Sequence, residues 1–363
     1  MPHTLSRPHP AITQPPGGDD LSALSDLTIV VPTYNRPAAL ARLLAYCAPL
    51  PLQLIVMDGS PEPATLPALH GQPCRLRYHH QPVPIEQRIR FAVDLCETPF
   101  SMFSCDDEYY LAQGLVAALS RLRSEPALSA VAGRCAAFIC NDQGLQLGTH
   151  YNFLKAFGAR QPLASERMRI AAAYPPLFSG FYYAVCRTEA FRAAVHTAFA
   201  ERFSCPYVQE VVFSLGLFMQ GGMETVSDLV WMRNLLAPPV SNARWNRKLN
   251  FSVWYGDPAH ADEVARMRLR VRDLYLRCQP DGETAWPLSA CFDQVVQFDH
   301  QLANGTIASQ KAYPFSVPAF LILSQLHGLP VDVESLRRVE QLETAPLLAA
   351  NEVAQMKSRI SIW

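Results

Sequence analysis

The sequence predicts an α/β fold built on a mainly parallel sheet, and three observations carry that expectation. Short apolar, β-branched runs alternate with segments of helical period through the first third of the chain. Each run ends in polar or turn-forming residues, so polar clusters recur at strand ends. The composition, 49% hydrophobic and 17% charged over 363 residues, is that of a globular chain large enough to bury a sizeable core.

The elements follow in order. LTIVVPTYNR (27–36) is a β-branched run stopped by Pro32 and reads as a buried strand. PAALARLLAYCA (37–48) opens on Pro37, which suits a first helical turn, and places Leu40, Leu43 and Leu44 on one face. LQLIVMDGSPEP (52–63) is a second strand that ends in an Asp-Gly-Ser-Pro turn. CRLRYHHQP (74–82) is a weaker third strand, with His79 and His80 expected at the surface. IEQRIRFAVDLCE (85–97) repeats Ile85, Ile89, Ala92, Val93 and Cys96 at helical spacing. PFSMFSCDDE (99–108) is another strand, and AQGLVAALSRLRSEP (112–126) another helix.

Further on, residues 128–142 read as a strand or hairpin, and the chain from Thr188 as a helix. CPYVQEVVFSLGLFMQGG (205–222) is a helix stopped by Gly221 and Gly222, and METVSDLVWMRN (223–234) is a strand. The resulting division is a Pro-rich tail at 1–25, an α/β domain at 26–235, a lid or linker loop at 236–258 and a C-terminal helical extension at 259–363. A second copy of the chain is a candidate partner for those C-terminal helices.

Composition also excludes functions. A net charge of −1 and a pI near 6.8 offer no basic footprint for nucleic acid. No apolar run reaches the roughly 18–20 residues of a membrane span, and residues 1–20 lack the apolar core of a signal peptide. The cysteines are scattered singly, with no Cys-x-x-Cys, so buried thiols are expected rather than zinc ligands. Together these predict a cytoplasmic chain, with attachment to the inner face of a membrane left open.

In open parallel sheets, ligands bind beyond the carboxyl ends of the strands. Tyr34 and Asn35, Asp58, and Asp106 to Glu108 all fall just past strand ends, so they should meet on one rim. The stretch SMFSCDDEYY (101–110) raises a question of its own, since Asp106, Asp107 and Glu108 repel one another and call for a cation. The alternate spacing of Asp106 and Glu108 suits one Mg²⁺ or Mn²⁺ ion. A three-residue pattern is weak, and a solvated turn, or a helix start attracting acids, is the plainer explanation of the triplet alone.

The segments TIVVPTYNRPAALARLL, LIVMDGS and QRIRFAVDLCETPFSMFSCDDEYY resemble, in order and spacing, family 2-like glycosyltransferases of GT-A fold, over roughly residues 26 to 235. The acid stretch is similar to an Ala-Asp-Asp-Asp motif followed by an aromatic residue. The resemblance implies a metal-dependent enzyme that moves a sugar from a nucleotide-diphosphate donor to an acceptor hydroxyl, in surface polysaccharide or glycoconjugate synthesis. It also implies roles. Pro32, Thr33, Tyr34, Asn35 and Arg36 would line the nucleotide pocket, with Tyr34 against the base. Asp58 would meet base or ribose, and Arg88 base or diphosphate. Asp106 and Asp107 would approach the nucleotide, while Asp106 and Glu108 hold the Mn²⁺ or Mg²⁺ ion. Glu210, in the first turn of its helix, takes the place of the catalytic base, where the helix start would keep it ionised. Arg244, Arg247 and Lys248, in the loop after residue 235, would clamp the diphosphate.

The chain departs from the family pattern at Met57, Ile89 and Gln209. Those departures keep open a catalytically degenerate sugar-nucleotide-binding scaffold. A nucleotidyltransferase is a further alternative, against which PTYNRPAAL lacks the glycines of a phosphate loop.

Overall fold

The computed structural model describes residues 21–66, 71–141, 144–148, 150–151, 156–157, 160–161, 164, 166–168, 181–235, 251–278, 288–303, 311–312, 317–329, 331 and 336–337. The first half follows the predicted alternation. β1 (Leu27–Thr33), α1 (Pro37–Cys47), β2 (Gln53–Asp58), β3 (Arg75–His80), α2 (Ile85–Asp94), β4 (Phe100–Phe103), β5 (Tyr109–Tyr110) and α3 (Ala112–Ser124) come in that order. Next are β6 (Leu128–Asn141), β7 (Gly144–Gly148), β8 (His150–Tyr151), β9 (Ala156–Phe157), β10 (Val185–Arg187), α4 (Thr188–Ala198), α5 (Tyr207–Gln220) and β11 (Gly222–Asn234). The C-terminal part holds α6 (Phe251–Gly256), α7 (Ala261–Arg277), α8 (Leu288–Ala303), β12 (Lys311–Ala312) and α9 (Val317–Leu326). Residues 251–256, expected inside an irregular loop, are thus helical.

The main sheet runs β3-β2-β1-β4-β10-β6-β11-β5, with β7 on β6 and β9 on β11. From β3 to β4 every pairing is parallel. β10 then inserts antiparallel to both β4 and β6, while β11 lies parallel to β6. The sheet is therefore mixed α/β, parallel in its first half, and β1, β2, β4, β6 and β11 all point the same way.

Strand side chains alternate between two apolar layers. Ile29, Val31, Leu54, Val56 and Met102 pack with α1 and α3; Val30, Ile55, Met57 and Phe103 pack with α2, α4 and α5. The C-terminal helices divide between the layers. Phe251, Trp254, Met267, Val271, Leu274 and Phe292 join the α4–α5 side, whereas Phe320, Leu323 and Leu326 of α9 join the α1–α3 side.

Two close fits are open to test. A Cβ on Gly114 of α3 would lie 2.2 Å from the Leu229 carbonyl oxygen of β11, a backbone atom that cannot step aside. Gly114→Ala should therefore cost about 1–3 kcal/mol, read as a lower urea midpoint. Beyond α9, His327 is half-buried between the rings of Tyr109 and Phe138, with Arg42 and Asp107 as its charged neighbours. Burial first, and Arg42 second, push its pKa down to about 4, from 6.5. Between those values the unfolded chain binds a proton that the folded chain refuses, so stability falls as the pH drops. His327→Phe should flatten that decline, measured as the change in urea midpoint from pH 7 to pH 5.

Candidate functional site

β1 lies between β2 and β4, so successive connections leave it in opposite directions and a crevice opens at the carboxyl ends of β1 and β4. The β1–β4 ladder stops at Val30 and Phe103, where the Ser104 N–H donates to the Val30 carbonyl at 3.0 Å. β1 runs on through Pro32 and Thr33 with β2 beside it. Pro32, which has no N–H to offer, thus sits where the partner strand has already turned away.

The loop after β1 reaches the acids directly. The Thr33 hydroxyl donates to Asp106 Oδ2 at 2.7 Å. Tyr34 is 42% exposed, so it stands on the rim rather than in the core. Asn35 takes a positive φ of 53°, which Asn tolerates, and its N–H donates to Ser60 Oγ at 2.8 Å. Arg36 then forks across two carboxylates: Nη1 lies 2.8 Å from Asp106 Oδ1 and Nη2 lies 2.6 Å from Asp107 Oδ2. Asn234, at the end of β11, adds a 3.2 Å bond to Asp107 Oδ2. The cation that the acid run calls for is, in the folded chain, an arginine eleven residues or so into the domain.

Burial acts on these charges unequally. Asp106, Asp107 and Glu108 are all under 6% exposed. Burial pushes Asp106 up to about 6, against the opposing pull of Thr33 and Arg36. Burial also works against the Arg36 charge, but Asp107 and Asp106 outweigh it and raise its pKa.

Glu108 belongs to a second cluster. Its Oε2 accepts the indole N–H of Trp231 at 2.8 Å, and burial raises its pKa to about 8, with Arg233 pulling the other way. Arg233 also acts on Glu210 in the first turn of α5, whose pKa is raised, by burial above all. Desolvation thus works against the pull of the helix start toward the ionised form. Tyr183 stacks on Trp231 at 4.2 Å and reaches Cys105 Sγ at 3.3 Å through its hydroxyl; Tyr182 stacks on Phe103 and neighbours Glu210.

Across the crevice, Asp58 is wholly buried and its carboxylate is filled from within. Ser60 N–H (2.8 Å), Ser60 Oγ (2.5 Å), Ala64 N–H (3.0 Å) and the Tyr78 hydroxyl (2.6 Å) all donate to it. Burial alone would raise its pKa, but these donors hold it below the ordinary value. Arg88 is 4% exposed and pins the strand ends: Nη1 donates to the Thr33 and Met57 carbonyls at 3.0 and 2.7 Å, and Nε to Val83 at 3.1 Å. Its guanidinium rests on Gly59, where a Cβ would come within 2.3 Å of Cζ.

The structure therefore gathers Thr33, Tyr34, Asn35, Arg36, Asp58, Arg88, Asp106 and Asp107 around one rim, with Glu210 and Glu108 joined through Arg233. Asp106 and Asp107, rather than Asp106 and Glu108, face a single cation. His79 and His80, expected at the surface, are half-buried, and His80 Nε2 pairs with the Ser60 carbonyl at 2.8 Å. Arg244, Arg247 and Lys248 lie outside the described residues. Sequence reading missed Arg233, Trp231 and Asn234. The rule that singled out Asp58 and Asp106, polar residues at the carboxyl end of a parallel strand, applies to the Met-Arg-Asn end of β11 as well.

A divalent ion implied by the family resemblance can be judged on this donor set. Among the described residues no group of three or more His, Cys, Asp or Glu side chains could hold a metal. Two adjacent carboxylates already presented to one cation do suit Mg²⁺ or Mn²⁺, which take one or two carboxylates and complete their shell with water and phosphate.

No family model matches this chain, and no curated protein matches it. Several solved structures are similar. One is S. aureus TarS, at 14% identity and a TM-score of 0.38, covering 58% of this chain and 36% of that one. The chain thus spans about a third of that structure's length. Residues 1–349 of S. aureus TarS in complex with UDP-GlcNAc match at 13% identity and a TM-score of 0.43, covering 80% of this chain and 97% of that one. The same TarS fragment in complex with UDP matches at 12% and 0.41, covering 80% and 96%. The α/β assignment rests on the strand order and helix placement given above.

The Trp231 indole can be tested by itself. Trp231→Phe leaves the buried Glu108 oxygen without its donor and should lower stability by about 1–3 kcal/mol in urea unfolding.

Proposed function

We propose that this chain transfers a sugar from a nucleoside-diphosphate donor to an acceptor hydroxyl, with inversion at C1. One observation carries the reading: Thr33 and Arg36, after β1, meet Asp106 and Asp107, after β4, at the point where the sheet reverses its order. The exposed ring of Tyr34 offers a flat face for a base beside the crevice. The partly exposed Arg36 guanidinium offers positive charge to a diphosphate in the crevice.

Glu210 is the base. As the acceptor oxygen bonds to C1, the C1–O bond to the diphosphate breaks, the bonding pair leaves with the phosphate oxygen, and the hydroxyl proton passes to the Glu210 carboxylate. Burial raises its proton affinity, which favours taking up the proton, while Arg233 limits the rise. A divalent ion on Asp106 and Asp107 would stabilise charge on the departing diphosphate. The acceptor is a sugar hydroxyl of a polysaccharide or glycoconjugate, proposed by family analogy alone.

The filled carboxylate of Asp58 favours a second reading, a sugar-nucleotide-binding scaffold without turnover. Isothermal titration with UDP and with GDP, followed by donor hydrolysis with and without acceptors, separates the two. Transfer predicts binding and slow sugar release. Glu210→Gln should then lower turnover about 10²–10⁴-fold while changing nucleotide affinity by no more than about threefold. Binding with no release across a broad acceptor panel supports the scaffold, and no binding of either nucleotide sinks both.

A further inference from the structure

We infer that Arg36 and a divalent cation are rival occupants of the Asp106–Asp107 pair, so that the free chain is closed to metal and opens to it only when a diphosphate draws the guanidinium away. The diphosphate belongs to the sugar-transfer reading; the rivalry is a property of the chain and can be measured with metal alone.

The geometry is that of a filled cation position. The Arg36 fork takes Asp106 Oδ1 at 2.8 Å and Asp107 Oδ2 at 2.6 Å. The second Asp106 oxygen already accepts from Thr33, and Asp107 Oδ2 accepts also from Asn234. A hard cation needs direct oxygen contacts of about 2.0–2.1 Å, which these carboxylates cannot give while the fork lies between them. Nor can metal and guanidinium share the site, because two like charges would then face each other across a few ångströms.

The fork is also held ready. The Arg36 carbonyl accepts the Leu40 N–H at 3.0 Å as the first bond of α1, Pro37 follows it, and Asn35 is anchored to Ser60. The backbone is fixed, while the side chain remains 22% exposed at its edge. A guanidinium has five N–H donors, so a diphosphate arriving at the crevice finds unused ones on Arg36. Transfer of the fork from carboxylate to phosphate would release two carboxylate faces and supply phosphate oxygens at the same moment, which are the ligands such an ion lacks in the free chain. Neither ligand alone does this, so metal and nucleotide should bind with positive coupling.

The test titrates Mn²⁺ alone, by calorimetry and by the loss of the free-ion electron paramagnetic resonance signal, into the parent chain, Arg36→Ala and Arg36→Lys. Thermal melting confirms that each variant is folded. Removing the guanidinium should tighten Mn²⁺ binding about tenfold or more. The gain should vanish in Arg36→Ala/Asp106→Asn/Asp107→Asn, and Arg36→Lys should bind like the parent. Equal Mn²⁺ binding by the parent and Arg36→Ala, or none by either, overturns the rivalry. A second arm adds UDP or GDP to the parent. A rise in Mn²⁺ affinity supports the exchange of partners, and nucleotide binding that leaves Mn²⁺ affinity unchanged overturns it. If neither nucleotide binds while Arg36→Ala still gains Mn²⁺, the sugar-transfer reading fails and the rivalry stands.

Discussion

The forked contact of Arg36 with Asp106 and Asp107 is the constraint on which the rest of the rim depends. It joins the loop after β1 to the loop after β4 at the place where the backbone ladder between those strands has ended. Without it, two buried carboxylates would face each other with only neutral donors, an arrangement whose desolvation cost a low-dielectric interior does not repay. Burial still raises the Asp106 pKa against the pull of Thr33 and Arg36. A buried ion pair of this kind is weak evidence of a gain in stability, since apolar residues of similar volume often pack as well.

Around this contact the fold supplies rigidity. Parallel strands β1, β2 and β4 are buried on both faces, and the alternating side chains of each feed two separate apolar layers. The C-terminal helices add apolar residues to both layers. Arg88 closes the rim from within by tying the ends of β1 and β2 through their carbonyls. The second cluster, Arg233 with Glu108 and Glu210, is contributed by β11, the loop after β4 and α5. Positive charge from three distant parts of the chain thereby meets acids from three others.

Much of this was legible in the sequence. The β-branched runs at 27–33 and 53–58 and the helical spacing of Ile85, Ile89 and Val93 gave elements within a few residues of those observed. The topology rule then placed Tyr34, Asp58 and Asp106 on one rim. Pair identity was not legible. Alternate spacing suggested that Asp106 and Glu108 point together, but the chain turns between β4 and β5, and Trp231, more than a hundred residues away, takes Glu108. Long-range partners of this kind leave no local period to read. The antiparallel β10 was hidden for a related reason: it is three residues long, too short for alternation to show. Nor could the sequence show that Tyr78, on the neighbouring strand, donates to Asp58.

Gly59 follows Asp58 in a dipeptide that reads as simple turn punctuation, yet the turn is not what forbids a side chain there. The Arg88 guanidinium lies where a Cβ would go, and it is anchored to three carbonyls. Positions 59 and 88 are therefore coupled: a side chain at the first requires the guanidinium at the second to shift off its carbonyls. A larger residue in place of that glycine would be felt first in the clasp that holds the ends of β1 and β2 together.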